Sequence, residues 1–253
     1  MMLSTSALRA LIAMCCVGLL AGCATTGGET REAQWDPIEP LNRGVFKFNR
    51  SADKFVLRPI AKGYQTITPS PIRRGVGNFF YNLTMPIIFV GDLLQAKPHA
   101  AGQDLLRFLV NSTAGIGGLF DVATPMGIDK NREDLGQTFA VWGVGDGPYL
   151  MIPFLGPYSL RHGVGAILDV AFDPLYYYEQ RSIRDKLWIL KQIDLREGLI
   201  GADAVLDNAL DPYLALRDAY YQNRLGLIHD GDPPLEDDEF SEDEFNEEDF
   251  LSE

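Results

Sequence analysis

The most apolar stretch of the chain, residues 142–158, is broken repeatedly by glycine and proline. Glycine weakens a regular helix and proline removes a backbone donor, so one continuous helix cannot form here. A helix that spans a membrane needs about 20 mostly apolar residues. Broken apolar backbone near a membrane needs hydrogen bonds from protein or a wet cavity. We therefore predict an irregular apolar segment. The interruptions are Gly143, Gly145, Gly147, Pro148, Pro153, Gly156 and Pro157.

The N-terminus combines a basic residue, an apolar run and a small-residue site that ends in cysteine. Arg9 precedes the run 10–20, and the chain then reads Leu20-Ala21-Gly22-Cys23. Such a run is too short for a mature spanning helix, and small residues at the cut are typical of secretory signals. The pattern predicts a lipoprotein signal peptide over residues 1–22 and lipidation of Cys23. An uncleaved N-terminal helix is the alternative.

Acyl chains on Cys23 would hold the mature chain at a membrane. Each buried CH₂ contributes roughly 0.8 kcal/mol, so several chains such as palmitate anchor far more firmly than one. Ala24 stands where aspartate tends to retain lipoproteins at the inner membrane of enterobacteria, which favours the outer membrane. Residues 23–34 are small and polar and predict a lipidated tether. Cys15 and Cys16 leave with the signal, so we expect neither a disulfide nor a thiolate metal site.

The net charge of -13 is concentrated at the C-terminus. Residues 230–253 contain 13 acidic side chains and no Lys or Arg, whereas residues 1–229 contain 22 of each sign. A neutral body gives no basic surface for nucleic acid, so we expect no nucleic-acid partner. The composition predicts an ordered body over residues 35–229 and an acidic disordered tail over 230–253. The alternative for the tail is a bait for a basic partner surface.

The first helix of the body is predicted to be amphipathic. Its apolar residues recur at helical spacing, and a basic stripe repeats about 200° around the helix. Such a helix can lie in a membrane interface with its cations at the headgroups. An ordinary half-buried helix with a solvated charged face is the alternative. We expect it to end at Arg58-Pro59. The apolar face is Leu41, Val45, Phe48, Ala52 and Phe55; the basic face is Arg43, Lys47, Arg50 and Lys54.

Further helices are predicted along most of the body, which makes the expected fold class mainly α. One starts at Thr84 and Pro86 and runs towards residue 97, and another covers residues 104–109. Ser182 with Asp185 suggests a capping box for a helix that Gly198 stops. The last helix is expected to start with Asp211 as N-cap and Pro212 in the first turn and to end at Gly226.

Catalytic and cofactor motifs are not found in the sequence. Ser159, His162 and Asp169 are residue types of a hydrolytic triad, but residues 156–160 do not read G-x-S-x-G. The glycine-rich runs 115–118 and 143–147 lack the Gly-Lys-Ser/Thr ending of a phosphate-binding loop. The histidines have no metal-ligand spacing. We expect no enzyme activity, no metal and no cofactor, and we keep a lipid hydrolase as the enzyme alternative.

An ordered series of short motifs runs through nearly the whole body. The chain resembles the MlaA (VacJ) family of outer-membrane lipoproteins in this series. Two features depart from the family pattern: Arg161-His162, where relatives often read Arg-Asp, and the tail with Phe240, Phe245 and Phe250. The matching segments are 36–43, 46–49, 77–83, 94–95, 107–111, 115–121, 133–138, 142–150, 155–157, 160–161 and 211–213.

The resemblance implies a single domain of amphipathic helices that form a membrane-embedded ring with a central channel. It implies a place in the periplasmic leaflet of the outer membrane, beside a trimeric porin. Phospholipids misplaced in the outer leaflet would pass through the channel to a soluble periplasmic lipid carrier, which maintains lipid asymmetry without covalent chemistry. A structural lipoprotein that scaffolds a porin or other envelope proteins is the alternative.

Two segments of the body, residues 111–121 and 142–153, combine glycines, large aromatics and isolated polar groups in apolar surroundings. We predict that they line the lipid channel, and that a bulky residue at Gly117 or Gly145 would block the passage or disturb packing. The predicted lining residues are Asn111, Gly115, Gly117, Gly118, Phe120, Trp142, Gly143, Gly145, Tyr149 and Pro153.

Overall fold

The computed structural model describes residues 35–234. The predicted signal peptide, Cys23, the tether and the tail beyond residue 234 lie outside the described residues. The helices are α1 (Glu39–Ala52), α2 (Arg58–Ile67), α3 (Ser70–Leu94), α4 (Pro98–Thr113), α5 (Leu135–Val141), α6 (Leu160–Asp169), α7 (Arg181–Gly198), α8 (Asp203–Asp207) and α9 (Pro212–Ile228). A π-helical turn (Asp53–Leu57) joins α1 to α2, and 3₁₀ turns cover Thr124–Met126, Val170–Phe172 and Ile200–Ala202. The predicted mainly α fold class is confirmed.

The helices extend through several prolines that the sequence analysis treated as boundaries. The predicted stop at Arg58-Pro59 is wrong, because a π-helical turn leads directly into α2. Pro59 lies just after the π-helical turn, and the φ of about −65° that its ring imposes suits helical backbone. The predicted start at Pro86 is also wrong, because α3 begins at Ser70 and encloses Pro86. Packing along the neighbouring α4 offsets the one lost backbone bond.

The remaining helix ends agree with the sequence in part. Asp211 is the N-cap of α9, as predicted, and its carboxylate accepts hydrogen bonds from the backbone N–H groups of Tyr213 (2.9 Å) and Leu214 (3.3 Å). That helix ends two residues beyond Gly226. Gln180, not Ser182, is the N-cap of α7, and no side chain caps this end, so the predicted capping box is wrong. Helix α4 extends the predicted 104–109 segment in both directions.

The glycine- and proline-rich segment 142–158 forms a hairpin instead of a helix. Strands β1 (Tyr149–Ile152) and β2 (Gly156–Ser159) pair antiparallel, with Tyr149 opposite Ser159 and Ile152 opposite Gly156. Asn42 on α1 holds β1, since its side chain donates to the Tyr149 carbonyl (2.9 Å) and accepts from the Met151 N–H (2.9 Å). The predicted absence of a regular helix here is confirmed.

The packing contacts between elements form a closed circuit. Helix α2 packs on α7, α7 on α3, α3 on α5, and α5 on α9. Helix α9 contacts β2, β1 contacts α1, and the π-helical turn returns the circuit to α2. A small core of Phe46, Tyr149, Met151 and Tyr213 lies where α1, the hairpin and α9 meet. These packing contacts connect elements that are far apart in the sequence, such as α2 and α7.

Some helices bury polar residues and expose large apolar ones. On α4 the polar residues Asp104, Arg107 and Asn111 are buried, whereas the leucines of the opposite face are 43 to 51% exposed. On α1, Asn42 is buried while Leu41 is 63% exposed, and Phe55 in the π-helical turn is 74% exposed. Large apolar surfaces of this kind mark contact with a membrane or a partner. Among residues 35–234 no helix is long and apolar enough to cross a membrane.

Candidate functional site

A cavity of about 920 Å³ lies between α3, α7 and the segment 121–134. Its volume is within the range of roughly 300–1,000 Å³ that small-molecule sites occupy. The α3 residues in the wall recur at helical spacing and so form one stripe of that helix. Lining residues are Arg74, Gly77, Asn78, Phe80, Tyr81, Thr84, Ile87, Ile88, Asp121, Lys130, Arg132, Glu133, Asp134, Asp169, Lys191, Asp194 and Leu195.

The end of the cavity near the start of α3 is basic. Arg74 on α3 and Lys191 on α7 line it, and among residues 35–234 no carboxylate lies within 4.0 Å of either cation. The nearest acid of α7 is Asp194, which sits beside Gly77: a Cβ on that glycine would lie 3.3 Å from Oδ2 of Asp194. Tyr64 donates a hydrogen bond to the other oxygen of Asp194 (3.2 Å). Burial raises the pKa of Asp194.

The middle of the cavity is organised by an ion pair behind its wall. Arg107 is fully buried and donates to both carboxylate oxygens of Asp121 at 2.7 Å. Burial alone would raise the pKa of Asp121, but hydrogen bonds from Thr124 and Arg107 lower it to about 2. Lys130 donates to Asn78 (3.1 Å) and lies 3.6 Å from Asp121. Arg107 alone therefore neutralises the charge of Asp121, and the charge of Lys130 is additional.

The acids at the other end are neutralised by cations outside the cavity. Glu133 accepts from Lys97 (2.9 Å), and Asp134 accepts from both guanidinium NH₂ groups of Arg224 (2.5 and 3.0 Å). Burial opposes ionisation of Asp134, but the bonds from Arg224 lower its pKa to about 2. Asp169 accepts only the Leu135 N–H (3.1 Å) among the described hydrogen bonds, and burial raises its pKa to about 7.

A smaller apolar groove of about 280 Å³ adjoins the basic end. It has no charged or polar side chain in its lining. The ring of Phe80 belongs to the walls of both cavity and groove, so the two spaces are neighbours across α3. The groove is lined by Val76, Phe79, Phe80, Ile116, Gly117, Leu119, Leu187 and Leu190.

The first predicted channel segment lies beside the groove. Gly117 lines the groove, and Phe120 is exposed. Asn111 is buried, and its side-chain oxygen accepts from the backbone N–H groups of Val122 (2.8 Å) and Ala123 (3.0 Å). Gly115 and Gly118 are closely packed, since an added Cβ would meet other atoms at 2.2 and 2.4 Å.

The second predicted channel segment lies at the hairpin. Tyr149 belongs to the core, Trp142 is exposed and donates to the Leu94 carbonyl (3.1 Å), and Gly145 faces open space. Gly143 and Pro153 are exposed. The structure does not bring these five residues to the wall of the cavity or the groove. Contact between lipid and the ten predicted residues stays a prediction.

The predicted basic face of α1 is divided between ion pairs and solvent. Arg43 donates to Glu39 (2.6 Å) and lies 2.9 Å from Asp211, and Arg50 donates to Asp207 (2.8 Å). Lys47 and Lys54 are exposed. The apolar face of this helix also lies outside: Leu41 is 63% exposed and Phe48 is 49% exposed. Val45, on the same apolar face, packs against the core, and the interfacial position of α1 stays a prediction.

The three triad-type residues each have another structural partner. Ser159 is the N-cap of α6, where its hydroxyl accepts from the His162 N–H (3.2 Å). The His162 ring stacks on Tyr158 with 4.5 Å between centroids, and its Nδ1 lies 3.1 Å from the Tyr220 hydroxyl. Burial lowers the pKa of His162 to about 4.

The sequence analysis missed the α3 stripe that forms one wall of the cavity. Arg74, Tyr81 and Ile88 are spaced seven residues apart, which is two helical turns. The signal is present in the sequence, but the assumed start at Pro86 divided it. The α7 wall residues Lys191 and Asp194 were not predicted either. A single cation and a single acid on one helix do not indicate a binding site until the helix that packs against them is known.

Buried polar residues, exposed apolar helix faces and a charged cavity are together typical of a helical protein that contacts a membrane or a partner. The sequence comparison makes this specific. The family model described as MlaA lipoprotein matches residues 34–226. The chain therefore belongs to the MlaA lipoprotein family.

Relatives and a solved structure agree with this assignment. The chain is 33% identical over 218 residues to the intermembrane phospholipid transport system lipoprotein MlaA of Escherichia coli (strain K12), with 85% of this chain and 86% of that protein covered. It is 31% identical to the protein of the same name from Haemophilus influenzae, covering 84% and 87%. A solved structure described as "Structural basis for maintenance of bacterial outer membrane lipid asymmetry" matches with a TM-score of 0.69 and 33% identity, covering 76% of this chain and 98% of that chain.

Proposed function

We propose that this protein is an outer-membrane lipoprotein that removes mislocalised phospholipids from the outer leaflet and so maintains outer-membrane lipid asymmetry. Membership of the MlaA lipoprotein family and the function named for relatives at 31 to 33% identity support the assignment. The observation that carries it in this chain is α4, which buries Asp104, Arg107 and Asn111 and exposes its leucines. A phospholipid could then meet polar groups inside while the protein contacts acyl chains outside.

The finer proposal concerns how the protein sits in the membrane. The exposed faces of α1 and α4 would contact the acyl chains of the periplasmic leaflet, and Lys47 and Lys54 would reach its headgroups. Lipidation at Cys23 would add the anchor. We further propose a trimeric porin as neighbour in the membrane and a soluble periplasmic carrier as the acceptor of the lipid. Neither step requires covalent chemistry.

The proposed route for the lipid is the cavity between α3 and α7. It is wide enough for a headgroup, and its charged groups replace the water that a headgroup loses on entering. The apolar groove across Phe80 gives acyl chains a place of matching polarity. Transport therefore needs an open cavity and a folded circuit, and no catalytic residue.

Deletion of the gene tests the proposal. Loss of the protein should raise the phospholipid content of the outer leaflet, and expression of the intact chain should restore it. A scaffold would change the abundance or assembly of porins and leave outer-leaflet phospholipid at its normal level. An envelope hydrolase would release fatty acid from phospholipid vesicles when the pure protein is added. Normal lipid asymmetry in the deletion strain would overturn the proposed function.

A further inference from the structure

The wall shared by α3 and α7 carries two binding surfaces of opposite polarity. On α7, Leu187 and Leu190 line the groove, whereas Lys191 and Asp194 line the cavity. These four positions follow the i, i+3, i+4, i+7 pattern of one helical face, and that face meets α3. A single boundary between apolar and charged space therefore runs along the contact of the two helices.

Two cations on the charged side of this boundary have no ion-pair partner among the described residues. Arg74 and Lys191 have no carboxylate within 4.0 Å among residues 35–234. Lys130 shares Asp121 with the buried Arg107, which already binds both oxygens of that carboxylate. Arg and Lys side chains bind phosphate oxygens through charge-assisted hydrogen bonds, which are shorter and stronger than neutral ones. The basic end is therefore complementary to a phosphate group.

The other side of the boundary suits an acyl chain. All side chains that line the groove are hydrocarbon or glycine, and Ile116 remains 64% exposed beside it. Burial of apolar chain in this groove would be favourable in proportion to the area removed from water. Phe80 lines both spaces, so the cavity and the groove are neighbours at this side chain.

We propose that the α3–α7 wall binds one phospholipid in two parts, with its phosphate between Arg74 and Lys191 and one acyl chain in the groove lined by Leu187 and Leu190. This inference rests on the proposed function and specifies how that site holds its substrate. In this binding mode the protein recognises the phosphate of the headgroup, which all glycerophospholipids share. The site accordingly selects phospholipid over uncharged lipid and does not discriminate strongly among headgroups.

Equilibrium binding to the full lipidated chain in lipid-free amphipol tests the two-part mode. The ligands are dihexanoylphosphatidylglycerol, which dissolves as a monomer, inorganic phosphate as the headgroup arm, and monohexanoylglycerol as the acyl arm. The whole phospholipid should bind more tightly than either part. Phosphate that binds as tightly as the phospholipid would overturn the proposal in favour of a free-anion site.

Charge variants test the basic end. Arg74→Gln and Lys191→Gln should each weaken phospholipid binding about tenfold, as expected for loss of one charge-assisted hydrogen bond. Lys191→Arg should retain binding because it keeps the charge. Lys186→Gln is the matched control, since Lys186 is an exposed lysine on the same helix outside the cavity. Equal binding by Lys191→Gln and Lys186→Gln would contradict the proposal.

Groove variants test the acyl end. Leu190→Gln should weaken phospholipid binding and leave phosphate binding unchanged, whereas Ile189→Gln, on the exposed side of the same helix, should change neither. Thermal unfolding of each variant identifies any loss caused by misfolding, and in that case Leu187→Asn replaces Leu190→Gln. If folded groove variants bind normally while gene deletion still raises outer-leaflet phospholipid, the two-part mode is wrong and the transport function stands.

Discussion

At the scale of single residues, buried ion pairs fix the walls of the cavity. Asp134 and Arg224 join the segment 121–134 to α9 through two hydrogen bonds, and the Arg224 side chain is only 6% exposed. Removal of one partner leaves an uncompensated buried charge, which is far more costly than loss of a surface pair. Such pairs hold elements that have little apolar core between them.

The Asp134–Arg224 pair gives the first prediction. Arg224→Ala should lower the free energy of unfolding by about 3–5 kcal/mol at neutral pH, because it leaves the Asp134 carboxylate buried without its cation. The folded pKa of Asp134 is lowered to about 2, so the pair stabilises above the usual pKa of aspartate and is lost as pH falls towards 2. Thermal unfolding against pH checks both points. Arg50→Ala, which breaks an exposed pair, should have a much smaller effect; equal losses would contradict the account.

The buried carboxyl pair between α3 and α4 gives a second prediction. Asp92 and Asp104 both accept hydrogen bonds from the Asn131 amide, at 3.2 and 2.9 Å. Burial, with the neighbouring Asp104 carboxyl, raises the pKa of Asp92 to about 8. The native protein should therefore lose stability as pH rises from about 4 to 8, since ionisation of Asp92 is easier in the unfolded chain. Asp92→Asn should remove this loss in chemical unfolding experiments, and the exposed Asp129→Asn should not. An unchanged slope in Asp92→Asn would refute the assignment.

At the scale of elements, helix periodicity was predictable and the direction of each face was not. The spacing of Leu41, Phe48 and Phe55 identified an amphipathic α1. The sequence does not state whether the apolar face meets a core or a bilayer, because both environments select the same spacing. In the structure Asn42 faces the hairpin while Leu41 and Phe48 are exposed, and their contact with a bilayer stays a prediction.

The outward face of the π-helical turn after α1 gives a third prediction. In an unlipidated Cys23→Ser background, Phe55→Glu should reduce binding to phospholipid vesicles more than about tenfold, because burial of a Phe side chain contributes about 1.5–3 kcal/mol. Folding should be unaffected, since Phe55 is 74% exposed. Phe55→Leu, which keeps an apolar side chain at the same position, is the control. Vesicle flotation measures binding, and equal flotation of the two variants would exclude Phe55 from the membrane contact.

The loop after α4 gives a fourth prediction. Gly118 has φ +88° and packs against Asn82 on α3, where a Cβ would lie 2.4 Å from the Asn82 Cβ. Gly118→Ala should therefore destabilise the protein by more than about 1 kcal/mol, through both backbone strain and collision. Gly145→Ala should be nearly neutral, because no atom lies within 4 Å of its added Cβ. Denaturant unfolding compares the two, and similar stabilities would contradict the close packing of α3 on this loop.

The positions of the helix boundaries show why the site escaped the sequence. Pro86 carries a strong local signal for a helix start, yet α3 passes through it because contacts with α4 and α7 supply more stabilisation than one backbone bond. Rules based on local sequence take account of the proline but not of the helices that pack against α3. The cavity wall depends on this continuity, since its α3 residues lie on both sides of Pro86.

At the scale of the whole molecule, two features stand together: the closed circuit of packed elements and the distribution of polar and apolar residues over it. Ion pairs such as Arg107–Asp121 and Arg224–Asp134 lie among the buried residues, and many large apolar residues are exposed. The neutral body with its family motifs could be assigned from sequence because the motif series spans nearly the whole body. The closure of the circuit could not, since it depends on contacts such as α2 with α7 that no local pattern contains.

The most direct test of the account is outer-leaflet phospholipid content in cells that carry a blocked cavity. Thr84 lines the cavity, whereas Gly145 lies outside it in open space, so Thr84→Trp and Gly145→Trp form a matched pair. Both proteins must be folded and present in the outer membrane at the level of the unmodified chain. The account predicts that Thr84→Trp accumulates phospholipid in the outer leaflet as the deletion strain does, while Gly145→Trp does not. Normal asymmetry with a folded Thr84→Trp protein would contradict passage of phospholipid through this cavity.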